Sequence, residues 1–258
     1  MSPMTSYQKI RYQVEGGLAR VVLNRPEKRN ALDAGLISEI KDAVRAAARD
    51  DQVRIVLLSG AGTDFCSGAD LSGLQRTSEA SVLDNMADAR NMAELFVEMR
   101  HHARPIVAAV RGRALAGGCG LATAADIIVA SESAQFGYPE VNIGFIPAMV
   151  MAILRRSLSE KRAFELITTG EIISAQTALE YGLVNRVFAD ETFDLDVDAY
   201  AGKLAAKSAS ALGLSKHLLY HMDGMGFEAA IDAGVHLNAI TRMTEDCKRG
   251  IERFLKKS

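Results

Sequence analysis

A short apolar run that passes directly into a glycine-rich turn most constrains how this chain can fold. Residues 105–110 are apolar and bounded by proline and glycine, which predicts a strand covered on both faces. The stretch 111–126 contains Gly117 and Gly118 and continues over 119–125 as small, helix-compatible residues. Glycines at such a corner let the backbone approach a ligand, and a helix start offers unpaired N–H groups. The stretch therefore predicts a place to hold an oxyanion.

A second corner of the same kind lies earlier in the chain. The apolar run at 54–59 enters the glycine-rich stretch 60–72. One glycine pair alone would favour tight packing of a helix on a strand, whereas two corners can each direct one backbone N–H at a single oxygen. Paired donors stabilise an oxygen that gains negative charge during a reaction. Together the two stretches predict catalysis through an oxyanion.

Composition and charge limit the class of protein. The chain has 258 residues, a formal net charge of −2 and no apolar run long enough to span a membrane. These features predict a sizeable core, no nucleic-acid partner, no membrane segment and a cytoplasmic location. Cys66, Cys119 and Cys247 lack CxxC spacing, so neither a disulfide framework nor a zinc site is predicted. Cys66 and Cys119 are interpreted as small buried side chains rather than catalytic thiols.

The remaining pattern is α/β, with helices alone towards the end. Alternation on either side of Gly16 and Gly17 predicts a hairpin of 9–15 and 18–23, and Asp33 predicts the cap of a helix over 34–50. Further strands are predicted at 127–130, 135–137 and 184–188, and further helices at 81–102, after Pro147, after Ser159 and Ser174, and at 193–208, 211–223, 227–241 and 245–257. This order predicts an α/β core with a helical appendage.

Five ordered segments resemble those of the enoyl-CoA hydratase/isomerase family, also called the crotonase family. They are residues 24–32, 65–71, 112–126, 134–147 and 168–185. The resemblance implies the ClpP/crotonase fold, an α/β spiral of ββα units, over residues 1–195. It implies a C-terminal helical oligomerisation region over 196–258, and a homotrimer or a dimer of trimers.

The resemblance also implies an acyl-CoA site. It assigns the backbone N–H groups of Ala69 and Gly117 to the oxyanion hole and Glu140 to proton transfer. Glu140 lies between Pro139 and the apolar Val141, where burial would raise the pKa of its carboxyl group. The residues assigned to CoA binding are Arg25, Lys28, Ala31, Gly68, Ala69, Asp70, Leu71, Ser72 and Gly117. No cofactor or metal is expected, because the substrate itself carries coenzyme A.

The sequence departs from the typical hydratase at one position. Members with efficient hydratase activity usually carry a second glutamate in the helix after the glycines, where this chain has Gly120. Apolar residues 148–153 also replace a glycine-rich stretch of the family. Hydration of a 2-enoyl-CoA to a 3-hydroxyacyl-CoA, a reaction of fatty acid metabolism, is the favoured activity. The alternative is a delta3-delta2-enoyl-CoA isomerase that uses the single Glu140.

Two hypotheses from other classes stay open. A non-catalytic acyl-CoA-binding homologue is supported by Gly120, and a serine hydrolase would share the spiral fold. Against the hydrolase, the sequence lacks a G-x-S-x-G elbow and Ser67 has no assignable base. Tyr138 is predicted either to line the pocket or to belong to the core. Asp70 and Asp126 are predicted to cap or pair structurally.

Overall fold

A six-stranded sheet forms the centre of the computed structural model, which describes residues 7–70, 75 and 79–256. Its strands, in spatial order, are β1 (Ile10–Glu15), β2 (Leu18–Leu23), β3 (Ile55–Gly60), β4 (Ile106–Val110), β6 (Ile127–Ser131) and β9 (Arg186–Phe188). The pair β1–β2 is antiparallel, as the predicted hairpin requires, and the other neighbours are parallel. All of β4 is buried, which confirms the prediction of a strand covered on both faces.

A second, smaller sheet lies beyond the end of β4. It consists of β5 (Arg113–Leu115), β7 (Gln135–Gly137) and β8 (Ile172–Ser174). Strand β7 pairs with β5 in parallel and with β8 in the antiparallel direction. The sequence predicts β7 but neither β5 nor β8, and β8 ends at Ser174, the residue that caps the next helix. Strand β5 lies inside the stretch that the sequence interprets as a glycine turn.

The helices follow the predicted order. They are α1 (Ala34–Arg49), α2 (Val82–His101), α3 (Gly117–Thr123), α4 (Ala148–Ser157), α5 (Glu160–Thr169), α6 (Ala175–Tyr181), α7 (Phe193–Ala205), α8 (Ala209–His221), α9 (Phe227–Met243) and α10 (Glu245–Leu255). The predicted caps are confirmed, because Asp33, Ser159 and Ser174 each accept a hydrogen bond from the backbone N–H three residues later. Within the described part of the chain, every helix is too short or too polar to cross a lipid bilayer.

Apolar side chains cover the large sheet on both faces. Helices α1 and α2 pack on each other and contribute to the larger cluster of buried side chains. Phe193, Val197 and Ala201 of α7 join a second cluster with Ile55 and Val107. The boundary predicted between residues 195 and 196 falls inside α7, whose buried side chains pack on this sheet.

A buried polar cluster attaches α8 to the core. Lys216 is 7% exposed and donates to Asp126 Oδ2 at 2.8 Å and to the Met99 carbonyl at 2.8 Å. Tyr220 donates to Asp126 Oδ1 at 2.6 Å, and the Ile106 N–H donates to Asp126 Oδ2 at 2.6 Å. Asp126 therefore has a structural role, as predicted, and its carboxylate is fully compensated.

Candidate active site

Asn30 anchors the loop between β2 and α1 to the first glycine corner. Its side chain is fully buried and its backbone is left-handed, with a φ of 54°. The amide Nδ2 donates to the carbonyls of Ala61 at 2.9 Å and Asp64 at 2.8 Å, while Oδ1 accepts from the Arg25 N–H at 2.9 Å. Sequence reasoning assigned Asn30 no role. The available signal was its residue type, since asparagine tolerates left-handed backbone better than most residues.

The end of this loop pairs with the first corner in a short parallel bridge. The Leu32 N–H donates to the Gly68 carbonyl at 2.7 Å, and the Asp70 N–H donates to the Leu32 carbonyl at 3.0 Å. The bridge is centred on Ala69. It brings the segment predicted to bind CoA against one of the two predicted oxyanion donors.

The two predicted CoA-binding cations differ in their surroundings. The Arg25 guanidinium is buried, donates to the Ala31 carbonyl at 2.6 Å and lies 3.0 Å from both Asp33 and Asp70. The Lys28 side chain is 52% exposed, and its Nζ lies 3.3 Å from Asp70. Arg25 therefore holds the loop together, whereas Lys28 presents its charge to solvent. The predicted residues Leu71 and Ser72 lie outside the described residues.

The two glycine corners are in direct contact. The Leu115 N–H donates to the Cys66 carbonyl at 3.0 Å. A Cβ atom placed on Gly68 would lie 2.9 Å from the Ala116 Cβ and 3.6 Å from the Gly117 nitrogen. The backbone of the first corner therefore touches the start of α3, as the sequence predicts for two corners that serve one oxygen.

Two backbone N–H groups at this contact make no hydrogen bond within residues 7–70, 75 and 79–256. The Gly68 carbonyl and the Asp70 N–H, on either side of Ala69, both bond to Leu32. Gly117 is the first residue of α3. Among the described residues, no hydrogen bond uses the N–H of Ala69 or of Gly117. Such groups, fixed by a bridge on one side and a helix on the other, are suited to bind an oxyanion.

The sharp turn before α3 is made by an alanine and not by a glycine. Ala116 has a φ of 50° and a ψ of −128°, and α3 begins at Gly117, two residues before the helix-compatible run begins. This backbone is strained for an L-residue, and such strain is found at functional sites. Gly118 has another purpose: a Cβ there would lie 2.3 Å from the Cys66 carbonyl oxygen. The expectation that the two glycines form the turn is therefore corrected, because both belong to α3 and Gly118 permits the helix to pack closely against Cys66.

Substitution of Ala116 by glycine should stabilise the protein. Relief of the positive φ gains about 1–3 kcal/mol, and the greater freedom of glycine in the unfolded chain costs about 0.5–1 kcal/mol. We expect the free energy of unfolding of A116G to rise by about 1 kcal/mol in urea denaturation. A decrease would contradict the inference that Ala116 is strained.

Glu140 projects from the 3-10 helix Pro139–Ile143, which follows β7. Because β7 runs parallel to β5 and the Gly137 carbonyl accepts from the Ala116 N–H at 2.9 Å, this helix and α3 start at the same edge of the small sheet. Glu140 is half-buried, and its Oε2 is inaccessible to solvent and has no hydrogen-bond partner among the described residues. Burial raises the pKa of Glu140 above its ordinary value. The carboxyl group is therefore suited to accept and return a proton.

The position of the family's second glutamate is enclosed by apolar side chains. A Cβ atom on Gly120 would lie 2.5 Å from Val150 Cγ2 and 3.3 Å from Phe96 Cζ. Val150 belongs to the apolar segment that the sequence analysis singled out. The helix α3 therefore offers no space for a second carboxylate beside Glu140 without movement of α4.

The two cysteines beside the corners are not activated. Burial raises the pKa of Cys66 to about 12 and the pKa of Cys119 to about 11. Both thiols therefore stay protonated at neutral pH. The interpretation of both residues as small buried side chains is confirmed.

Sequence comparison decides the family. Residues 13–258 match the family described as Enoyl-CoA hydratase/isomerase. The chain belongs to this family. A crystal structure of an enoyl-CoA hydratase from Mycobacterium smegmatis superposes with a TM-score of 0.92 at 30% identity, over 97% of both chains. The predicted crotonase-like α/β fold is therefore confirmed.

Two proteins with similar sequences carry names of enoyl-CoA hydratases. A Thermus thermophilus protein, named only provisionally as an enoyl-CoA hydratase, is 39% identical over 95% of this chain and 97% of its own length. A crotonyl-CoA hydratase from Syntrophomonas wolfei is 33% identical over 98% of this chain and 96% of its own length. Membership in the enoyl-CoA hydratase/isomerase family thus extends over nearly the whole chain.

Proposed function

We propose that this family member adds water to a 2-enoyl-CoA and forms a 3-hydroxyacyl-CoA. The observation that carries the proposal is a buried carboxylate oxygen on Glu140 that has no hydrogen-bond partner in the described part of the chain, at the sheet edge where the Gly117 N–H makes no hydrogen bond to a described residue either. The Ala69 N–H lies across the contact between the corners. The name of the Syntrophomonas wolfei relative, a crotonyl-CoA hydratase, supports the same reaction.

The proposed steps use one carboxylate and two backbone donors. Glu140 takes a proton from water while the water oxygen bonds to C3 of the enoyl group. The electron pair of the C2–C3 double bond moves onto the thioester oxygen, which the N–H groups of Ala69 and Gly117 hold as an enolate. Protonated Glu140 then gives its proton to C2, which restores the carboxylate and completes the addition of one water molecule.

Apolar side chains next to Glu140 support an acyl substrate. Ile143, Phe145 and Ile146 are 69%, 53% and 57% exposed, although large apolar residues are normally buried. We propose that they border the acyl chain. Lys28 is the proposed contact for the phosphate groups of coenzyme A, because its ammonium group is the more exposed of the two predicted cations. No separate cofactor is proposed.

Double-bond isomerisation is the second candidate, and the packing around Gly120 favours it. One base can remove a proton from C2 of a 3-enoyl-CoA and return it to C4, which moves the double bond to C2–C3. This reaction needs no second group to orient water. The apolar contacts of Val150 and Phe96 at Gly120 leave Glu140 as the proposed single base.

A paired absorbance assay tests the proposed function. Crotonyl-CoA loses its conjugated enoyl absorbance when water adds, and 3-hexenoyl-CoA gains it when its double bond moves. We expect loss of absorbance with crotonyl-CoA. Gain of absorbance with 3-hexenoyl-CoA alone would indicate isomerisation and not hydration. Turnover of neither substrate would favour the hypothesis of a non-catalytic acyl-CoA-binding homologue.

Installation of a second carboxylate should require a smaller residue at position 150. We expect G120E to lose about 2 kcal/mol of unfolding free energy, since its side chain overlaps Val150 and buries a carboxyl group. The double variant G120E/V150A should regain most of that loss and hydrate crotonyl-CoA about 10-fold faster than wild type. Thermal melts and the absorbance assay measure both effects. A melting temperature of G120E/V150A below that of G120E would contradict this account.

The C-terminal helices support the proposed homotrimer or dimer of trimers. Helix α9 contains no buried residue, and Phe227, Val235 and Met243 along it are 76%, 61% and 71% exposed. Large exposed apolar areas of this kind mark contact surfaces. We propose that α9 packs against another copy of the chain. A monomeric mass in light scattering would refute this proposal.

A further inference from the structure

Tyr138 is a buried polar residue that the proposed reaction does not use. It connects β7 to the 3-10 helix that carries Glu140, and its side chain is 0% exposed. Its hydroxyl oxygen lies 2.7 Å from Thr123 Oγ1, at the last residue of α3. The hydroxyl is thus the only polar atom of a fully enclosed side chain, and its partner belongs to the helix that starts at Gly117.

The direction of this hydrogen bond is inferred from the other contact of Thr123. Thr123 donates its one hydroxyl proton to the Cys119 carbonyl at 2.8 Å, so Thr123 Oγ1 accepts from the Tyr138 hydroxyl. Thr123 is itself only 5% exposed. If the phenol oxygen were removed, no water could replace it as the partner of Thr123, because neither side chain reaches solvent.

Two hydrogen bonds therefore hold the segment before Glu140 against the two ends of α3. At the first end, the Gly137 carbonyl accepts from the Ala116 N–H at 2.9 Å. At the other end, Tyr138 donates to Thr123. Gly137 and Tyr138 are adjacent in sequence, so the backbone has little freedom to rotate as it enters Pro139 and Glu140.

Glu140 lies close to this hydrogen-bonded group. Burial is the main cause of the raised pKa values of the Cys119 thiol and the Tyr138 hydroxyl, and the charge of Glu140 contributes to both. The Glu140 carbonyl accepts from the N–H groups of Gly144 and Phe145, which fixes the other end of its short helix. The Glu140 backbone is thus held on both sides, while its carboxylate oxygen Oε2 has no hydrogen-bond partner among the residues that the structure describes.

We propose that Tyr138 is a positioning residue, whose hydrogen bond to Thr123 fixes Glu140 relative to the Gly117 N–H. The inference rests on the proposed function, in which Glu140 transfers the proton and Gly117 holds the enolate. Tyr138 does not touch the substrate. Its effect passes through the backbone of residues 138–140, which carries the carboxylate to its place.

Two nearly isosteric variants delete the hydrogen bond from either side. Y138F removes the donor, and T123V removes the acceptor together with the bond from Thr123 to the Cys119 carbonyl, while both side chains keep their shape. We expect each variant to lower kcat about 10-fold and to change KM less than about 2-fold, because a misplaced base impairs proton transfer more than binding. The double variant Y138F/T123V should be no slower than the slower single variant, because both delete the same bond.

Y220F is the matched control. Tyr220 also donates a hydrogen bond, to Asp126 at 2.6 Å; this bond is partly buried and joins α8 to the core, not Glu140 to α3. We expect Y220F to lower the melting temperature and to leave kcat within about 2-fold of wild type. Equal loss of kcat in Y220F and Y138F would show that lost stability alone explains the effect, and would overturn the proposal.

A measurement without substrate separates this inference from the proposed function. Infrared titration follows the carboxyl band of Glu140, identified by its absence in E140Q. If Y138F loosens the segment, water reaches the carboxylate and its pKa falls towards the ordinary value. An unchanged pKa in both Y138F and T123V would overturn the inference, whether or not the wild type turns over an enoyl-CoA. Absence of wild-type turnover with a lowered pKa in Y138F would refute only the proposed function.

Discussion

Substitution of Glu140 by glutamine is expected to lower kcat for the enoyl-CoA substrate by about 1,000-fold, within the range for loss of a general acid or base. Glutamine has nearly the same shape but neither takes nor gives the proton. The wild-type kcat/KM should rise with pH as Glu140 ionises. The midpoint of this rise should lie above the ordinary pKa of 4.5, because burial raises the pKa of Glu140. The residual activity of E140Q should lack this rise. The absorbance assay, run across pH, measures both effects.

E132Q is the control for this substitution. Glu132 lies in the exposed turn between β6 and β7 and takes no part in the proposed reaction. We expect E132Q to keep both the rate and the pH profile of the wild type. A kcat for E140Q within a few-fold of wild type would contradict the assignment of Glu140 as the proton carrier.

The same substitution should stabilise the fold at neutral pH. Because the folded protein holds the pKa of Glu140 above its ordinary value, the folded state binds more protons than the unfolded state between the two values. The free energy of unfolding therefore falls as the pH rises through this window, and it stays lowered at pH 7. The neutral glutamine removes it, so E140Q should melt at a higher temperature than wild type at pH 7 and not at pH 4.

Replacement of Gly118 by alanine should disrupt the contact between the two glycine corners. The new Cβ would lie 2.3 Å from the Cys66 carbonyl oxygen and 2.7 Å from Cys66 Sγ. The nearest atom belongs to a backbone that is held by the hydrogen bond from Leu115, so it cannot move aside alone. We expect G118A to lose about 3 kcal/mol of unfolding free energy in urea denaturation.

Activity should fall with stability in G118A. Helix α3 has to move away from the first corner, and this motion separates the Gly117 N–H from the Ala69 N–H. Loss of one such donor costs about 100-fold or more in kcat. G202A is the matched control, because an added Cβ meets nothing within 4 Å there. It should gain about 0.5–1 kcal/mol from helix propensity at unchanged kcat. Wild-type stability of G118A would contradict the close contact of the corners.

Sequence patterns predicted the elements whose signals are local. Apolar alternation defined the hairpin β1–β2, and the caps Asp33, Ser159 and Ser174 marked the starts of their helices correctly. Strands β5 and β8 were missed, although the equally short β7 was predicted. Both are held by pairing with β7, and that pairing depends on contacts between distant parts of the chain.

For the candidate site, too, the sequence predicted one part and the folded structure was needed for the rest. The order of its segments can be predicted from residues 24–32, 65–71, 112–126 and 134–147. The sequence did not show that Arg25 is neutralised by Asp70 and Asp33, or that Lys28 is the more exposed cation. Both facts depend on which side chains the folded loop brings within reach, which residue type alone does not determine.

The sequence by itself, with its family resemblance, determined the fold class, the order of most strands and helices, and the presence of Gly120 where typical hydratases of the family carry a second glutamate. Only the tertiary structure decided that Val150 and Phe96 occupy the neighbouring space, that Ala116 makes the strained turn, and that Tyr138 bonds to Thr123. The physical reason is that local periodicity and capping depend on neighbours within a few residues. Packing distances, backbone strain and buried hydrogen bonds arise when segments far apart in the chain meet.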